Sequence, residues 1–186
     1  MTDSMPMSPL HDVVIIGAGA AGVGLAVTLK HAGVDDVMIL DRDTVGASFS
    51  SWPAETRFIT PSFPTNSIGM LDLNAIALGT SPAVTLKTEH PTGAQYASYL
   101  RLVAQFFELQ ICQNTDVLDV AKVDREFHLT LAEGIVRAKH LVWAAGEFQY
   151  PRLDGGAGAE HCRHTATVES YGDLAGDERV SIGGYE

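Results

Sequence analysis

Apolar positions along this chain fall into short runs separated by glycine, proline and polar residues. Val13 to Ile16 and Val37 to Leu40 are continuous apolar runs, the pattern of strands buried on both faces of a parallel sheet. Between them Ala20 to Ala32 is small and aliphatic and predicts a helix, with Gly33 where a helix-ending left-handed residue is expected. Farther on, Thr92-Gly93 opens a second predicted helix, Ala94 to Glu108. In it Tyr96, Tyr99, Leu100, Val103, Phe106 and Phe107 recur at helical spacing and are expected in the core. Leu109 to Ile111 reads as the next parallel strand. Three short strands follow, from Thr115 to Val123, Glu126 to Leu131 and Ile135 to Ala138, with Glu133-Gly134 as a turn; they predict an antiparallel meander. A separate apolar strand, His140 to Ala144, then ends in Ala145-Gly146.

The first strand–helix–strand unit carries the clearest chemistry. Gly17-Ala18-Gly19-Ala20-Ala21-Gly22 lies between strand and helix, and Asp41 closes the second strand. Gly17 permits a tight turn, Gly19 leaves room for a pyrophosphate, and Gly22 lets the helix pack close to the strand. The helix N-terminus points unpaired N–H groups and a partial positive charge at phosphate oxygens, and Asp41 can accept the hydroxyl hydrogens of a ribose. The unit predicts a right-handed crossover and dinucleotide binding. An acid at Asp41 favours a ribose with an unphosphorylated 2′-hydroxyl, which NAD and FAD share. The expected fold class is α/β, a Rossmann-like parallel sheet with a three-stranded antiparallel β-meander.

Between Thr44 and Pro91 the pattern breaks, with Pro53, Pro61, Pro64, Pro82 and Pro91 among Ser, Thr, Asn and single aromatics. Long irregular stretches are uncommon unless they cover a site, so residues 48–70 read as a cofactor lid and lining; the competing reading is a surface excursion without a ligand. Residues 1–10 are expected to form a loose leader, 11–151 one domain, and the Gly-, Ala- and Asp-rich 152–178 a linker. Arg179 to Ile182 then run into Gly183-Gly184 as a second glycine-turn unit would begin. The chain is therefore expected to be the amino-terminal part of a longer protein.

Composition narrows the function classes. The 186 residues are 46% hydrophobic with a formal net charge of −11, which suits a globular domain and disfavours nucleic acid or anionic membrane as partner. No signal peptide or apolar run of membrane-spanning length is evident, so a cytoplasmic location without membrane insertion is expected. Cys112 and Cys162 lack C-x-x-C spacing, and His161, Cys162 and His164 lack the second ligand pair a closed zinc site requires; no metal site is expected. Serine hydrolase chemistry has no G-x-S-x-G turn here.

Several patterns together resemble the amino-terminal flavin-binding half of the flavoproteins with two dinucleotide-binding domains, specifically bacterial proteins similar to flavin-containing monooxygenases. They are GAGAAG at 17–22, ILDRD at 39–43, T-x-G-x-S-F-x-x-W-P at 44–53, TPSFPTN at 60–66 and LVWAAGEFQYP at 141–151. Some relatives of that kind are described as accessory to cobalt, zinc and cadmium efflux. The resemblance implies FAD, with Gly17, Gly19, Ala20, Ala21 and Gly22 on the pyrophosphate, Asp41 on the adenosine ribose and Arg42 beside it. It implies Val117 against adenine, in the strand after the helix, and Ser48 and Trp52 near the ribityl chain or flavin ring. Ala144, Ala145 and Gly146 would pass beneath the cofactor. Ser62, Thr65 and Asn66 match an S-x-x-T-N context whose asparagine lies near the flavin, which makes Asn66 the one catalytic candidate; a turn-capping asparagine is the other reading.

The implied parent is an NAD(P)H-dependent flavoprotein oxidoreductase, monooxygenase-like, acting on a small molecule, with residues 179–186 starting its NAD(P)H-binding domain and a homodimer compatible with the type. A flavin-dependent disulfide reductase-like enzyme, a non-catalytic nucleotide-binding module and a single-domain NAD-linked dehydrogenase are the alternatives.

Overall fold

The computed structural model describes residues 8–63, 72–147, 150–152 and 157–174. Six strands form one sheet in the order β3-β2-β1-β6-β5-β4. They are β1 Leu10–Ile16, β2 Val37–Leu40, β3 Gln110–Cys112, β4 Asp119–Val123, β5 Glu126–Leu131 and β6 Gly134–Trp143. Helix α1, Ala20–His31, crosses from β1 to β2, which pair in parallel from Val13 opposite Val37 to Ile16 opposite Leu40. β3 adds in parallel beside β2, and β4, β5 and β6 form the antiparallel meander. Leu10, assigned to the leader by composition, already belongs to β1 and pairs with Arg137.

Two predicted strands prove to be one. The first half of β6 pairs antiparallel with β5, from Gly134 to Ala138, and the strand continues without a turn to pair in parallel with β1 as far as Trp143. No glycine or proline interrupts residues 135–143, so the backbone had no local reason to end at Ala138. β6 thereby joins the meander to the nucleotide-type half of the sheet. Val117, expected in the strand after the helix, lies instead in the loop between β3 and β4, since β4 begins only at Asp119.

Core packs on both faces of the sheet. Val13, Ile15, Val37 and Ile39 meet Val23 and Val27 of α1 and Tyr96, Tyr99, Leu100 and Val103 of α4, Gly93–Phe106. Val14, Ile16, Met38 and Leu40 on the other face cluster with Leu129 and Ala138 of the meander. Phe106, expected in the core, is 78% exposed, because the buried side of α4 is the one that carries the two tyrosines. The N-terminus of α4 is closed by a reciprocal capping box: the Thr92 hydroxyl accepts from the Gln95 amide and the Gln95 side chain accepts from the Thr92 amide.

The irregular stretch before α4 is tied down by polar contacts. Its short helices are α2, Ala47–Ser50, and α3, Pro82–Leu86. Asp72 is fully buried, yet its carboxylate accepts from the Ser81 hydroxyl and the Ala83 and Asn74 amides. The Asn74 amide group donates to the Thr60 carbonyl and the buried Ser62 hydroxyl. Tyr96 donates its hydroxyl hydrogen to the Asn74 carbonyl, and the Tyr99 hydroxyl accepts from the Ile76 amide. Burial pushes both phenols up, so they remain neutral hydroxyls at physiological pH.

Opposite the glycine turn, at the start of the sheet, His11 Nδ1 lies 2.7 Å from Asp36 Oδ1 and the Asp12 amide donates to Asp36 Oδ2. The hydrogen bond with His11 holds the Asp36 carboxyl below its usual range. A carboxylate with a lowered folded-state pKa contributes stability at neutral pH that disappears as pH falls through that lowered value. Asp36→Asn is therefore expected to lower Tm at neutral pH, with the gap from wild type closing once pH drops below the ordinary carboxylate range. Calorimetry across that range tests this, and a gap that persists or widens in acid contradicts it.

Candidate functional site

The glycine turn stands where β1, β2 and β6 end together. Gly17 has φ +111, a conformation that L side chains rarely adopt, and its amide donates to the Leu40 carbonyl at 2.8 Å. A Cβ on Gly17 would lie 2.3 Å from the Ala144 carbonyl oxygen, and one on Gly22 would lie 1.9 Å from the Gly17 carbonyl oxygen. Both glycines are therefore demanded by close main-chain approach within the fold. Gly19 differs. Its φ of −80 suits any residue, and a Cβ placed there would meet nothing within 4 Å. The fold itself has no steric use for glycine at this position, which leaves the backbone bare toward open space at the N-terminus of α1.

The electrostatics of that end suit an anion. No acidic residue occupies the first turn of α1, while Lys30 and His31 sit in its last turn. The macrodipole thus meets no acidic side chain of its own helix at the positive end, Gly19 to Ala21, and basic residues at the negative end.

Asp41 is fixed by the turn it faces. Its Oδ2 accepts from the Ala18 amide at 2.6 Å and Oδ1 accepts from the Asp43 amide at 2.8 Å. Its own amide donates to the Cys112 carbonyl, and its carbonyl accepts from the Thr115 amide. Each carboxylate oxygen keeps a further acceptor position. Arg42, next along, donates from Nη1 to the Tyr150 hydroxyl at 2.8 Å, and its guanidinium lies 5.3 Å from the centre of that ring. The bond to Tyr150, with the Asp43 carboxylate nearby, pushes Arg42 up, so it stays charged.

The structure brings several predicted site residues to this turn. Ala144 donates its amide to the Ile16 carbonyl, and Ala144 and Ala145 cover Gly17 directly. Gly146 has φ +77 and faces open space. Val117 follows Thr115, whose amide is bonded to Asp41, so its loop runs beside the acid. Ser48 is exposed on α2, which the Gly46 amide ties to the Ala18 carbonyl at 3.0 Å. Trp52 packs against Phe49 and Phe58, each ring centre 5.3 Å away, and Phe58 packs in turn on Tyr96 at 4.4 Å. The aromatics of the irregular stretch thus find their cover partly in α4. Thr65 and Asn66 lie outside the described residues, whereas Ser62 is buried at 2% exposure.

Two structural roles escaped the sequence reading. A Cβ on Gly93 would lie 2.1 Å from the Phe49 carbonyl oxygen, so this glycine lets α4 abut α2. Gln113 Oε1 accepts from the Val45 amide and so supports the loop after Asp41. Gly93 carried a signal in hindsight, since a glycine just inside a capped helix start lowers helix propensity and needs a packing reason. Among the described residues, no group of three or more His, Cys, Asp or Glu could hold a metal ion. No helix there is long and apolar enough to cross a membrane.

Comparison with known proteins gives a consistent set. The profile of the family described as pyridine nucleotide-disulphide oxidoreductase matches residues 14–186. An uncharacterized oxidoreductase of Geobacillus kaustophilus named CzcO-like is 30% identical over 147 residues, covering 79% of this chain and 39% of the relative. The FAD-dependent urate hydroxylase of Xanthomonas campestris is 25% identical over 203 residues, covering 96% of this chain and 41% of the relative. Among solved structures, the bacillithiol disulfide reductase Bdr of Staphylococcus aureus has a similar fold, with a TM-score of 0.66 at 23% identity over 80% of this chain and 42% of that one. The chain thus spans about two-fifths of the length of these relatives.

The close approach at the turn can be tested without a ligand. Gly22→Ala is expected to destabilise the fold by roughly 3 kcal/mol or more, because the clashing partner is main chain and has nowhere to move. Denaturant unfolding measures it, and a midpoint equal to wild type contradicts the geometry.

Proposed function

Since the chain belongs to the pyridine nucleotide-disulphide oxidoreductase family, we propose that it is the FAD-binding part of an NAD(P)H-dependent flavoprotein oxidoreductase of the monooxygenase-like kind. The observation that carries this is the bare backbone at Gly19, where the fold needs no glycine and a ligand approaching the main chain does. The relative named as an FAD-dependent hydroxylase supports FAD over NAD at this turn.

In this reading the amides from Gly19 to Ala21 and the start of α1 hold the diphosphate, with Gly17 and Gly22 shaping the turn. Asp41 takes the adenosine ribose with the acceptor positions its two protein bonds leave open. Arg42 stands beside the ribose, and Val117 lies against adenine from the loop that Thr115 fixes. Ser48 and Trp52 face the ribityl chain and flavin ring, and Ala144, Ala145 and Gly146 run beneath the cofactor, where larger side chains would clash. Asn66 is the proposed catalytic residue, hydrogen-bonding near the flavin. FAD supplies the electron chemistry when bound; the chain orients it and keeps water from it.

The parent's activity on a small-molecule substrate, with NAD(P)H bound outside residues 11–151, belongs to the same proposal. So do residues 152–178 as the connection to a second domain from residue 179, a cytoplasmic location, a homodimer, and no partnership with nucleic acid or membrane.

An absorption spectrum of the purified chain, with and without added FAD and after desalting, tests the reading. Retained flavin bands are expected. Gly19→Val is expected to weaken FAD binding by about tenfold or more, through loss of the close backbone approach, while leaving Tm unchanged. A chain that stays colourless after refolding with FAD, or that binds NAD far more tightly than FAD, overturns it.

A further inference from the structure

Residues 157–174 read from composition as linker, yet the segment from 165 onward is docked. It contains two single-turn 3-10 helices, Thr165–Thr167 and Tyr171–Leu174. Between them Val168 is 5% exposed and is the one buried residue among the described residues of 157–174. The dock is the loop just after Trp52. The Ala54 amide donates to the Glu169 carbonyl at 2.9 Å, and the Thr56 hydroxyl donates to the Tyr171 hydroxyl at 3.4 Å. Between these two contacts Glu55 uses both carboxylate oxygens: Oε1 accepts from the Ser170 hydroxyl at 2.5 Å and Oε2 from the Tyr171 amide at 3.0 Å.

We propose that Glu55 is a latch that fastens segment 165–174 to the loop carrying Trp52, so that loop and segment move as one body. The carboxylate comes from a residue 115 positions away and closes the start of the Tyr171–Leu174 turn, whose first amides have no partner within so short a helix. Bonds from neutral donors to an ionised acceptor are the stronger kind. The Ser170 hydroxyl and the Tyr171 amide hold the Glu55 carboxyl below its usual range, in keeping with that geometry. Glu55 is exposed, so water competes for its oxygens and the latch is reversible. Trp52 stands two residues before Ala54, so a displacement of the docked segment passes through the latch to the loop that carries the tryptophan. The latch is independent of the cofactor; its bearing on the position of Trp52 at the flavin rests on the FAD reading.

The test uses the 186-residue chain without ligand. Glu55→Ala is expected to speed tryptic cleavage after the exposed Arg163 about tenfold and to speed amide exchange at Ala54 and Tyr171, with β1 and α4 unchanged. Ser170→Ala moves the same readouts in the same direction by less, and serves if Glu55→Ala fails to fold. Trp52 and Trp143 are the chain's two tryptophans, so a Trp143→Phe background isolates Trp52 emission, which should shift to the red when the latch is removed. A folded Glu55→Ala chain with wild-type cleavage and exchange overturns the latch. Exchange that rises equally in β1 and α4 overturns it too, since that marks a general loss of stability. Faster cleavage with unmoved Trp52 emission overturns the coupling to the loop. No arm contains FAD, so these outcomes separate from any failure of the flavin reading.

Discussion

The hydrogen bond from the Ala18 amide to Asp41 Oδ2, at 2.6 Å, is the constraint on which the site depends. It joins the turn after β1 to the residue after β2, and the Gly17 amide on Leu40 makes a second tie alongside it. The Gly46 amide on the Ala18 carbonyl then adds the loop that carries α2. Three chain segments are thereby held around six residues of main chain before any ligand arrives. Ordering a loop on binding costs roughly 1–2 kcal/mol per residue, and a turn already fixed avoids that loss. The same acid that a ribose would engage is thus also a structural tie, so removing it loosens the turn as well as the sugar contact.

What could be read from the sequence was what local pattern encodes. The β1–α1–β2 unit announced itself because strand, glycine turn, helix and acid lie within one continuous stretch and each has a residue-level reason. The start of α4 was legible for the same reason, since Thr92 and Gln95 cap it reciprocally. The failures are long-range. Arg137 and Ala138 bear no mark of the place where β6, still paired with β5, takes β1 as its second partner. Helical spacing put Phe106 and Phe107 together, but only the third dimension decides which side of α4 meets the sheet. Likewise the aromatics Phe49, Trp52 and Phe58 signalled a need for cover without saying that Tyr96, in a later helix, supplies part of it.

Asp41 shows the same division inside the site. Its spacing from the glycines points to a sugar ligand, and the structure places it at the turn, bonded to the Ala18 amide. Its bonds to Ala18 and Asp43 are invisible in spacing, because they depend on the curvature of a turn whose residues have almost no side chains. Gly19 is the converse case, where the absence of any neighbour within 4 Å is the informative fact and the sequence could only supply the glycine.

A turn made of main chain carries no side chain specific to one reaction, in keeping with the different names, hydroxylase and disulfide reductase, of proteins that this chain resembles in sequence or in fold. The chemistry must be selected by side chains. A dithiol route through this part of the protein would need a cysteine pair beside the turn, and α1 instead opens with Ala20 and Ala21. Cys112 is half-buried at the end of β3, with its carbonyl engaged by the Asp41 amide, and Cys162 is exposed within a stretch outside the sheet; neither forms a disulfide. A nucleophilic thiol requires an accessible, electropositive setting, and the N-terminus of α1, which is such a setting, bears no sulfur. The irregular stretch is held in place by polar anchors, Asn74 on Thr60 and Ser62 and Asp72 on Ser81, so it is fixed by bonds that the main-chain turn itself does not supply.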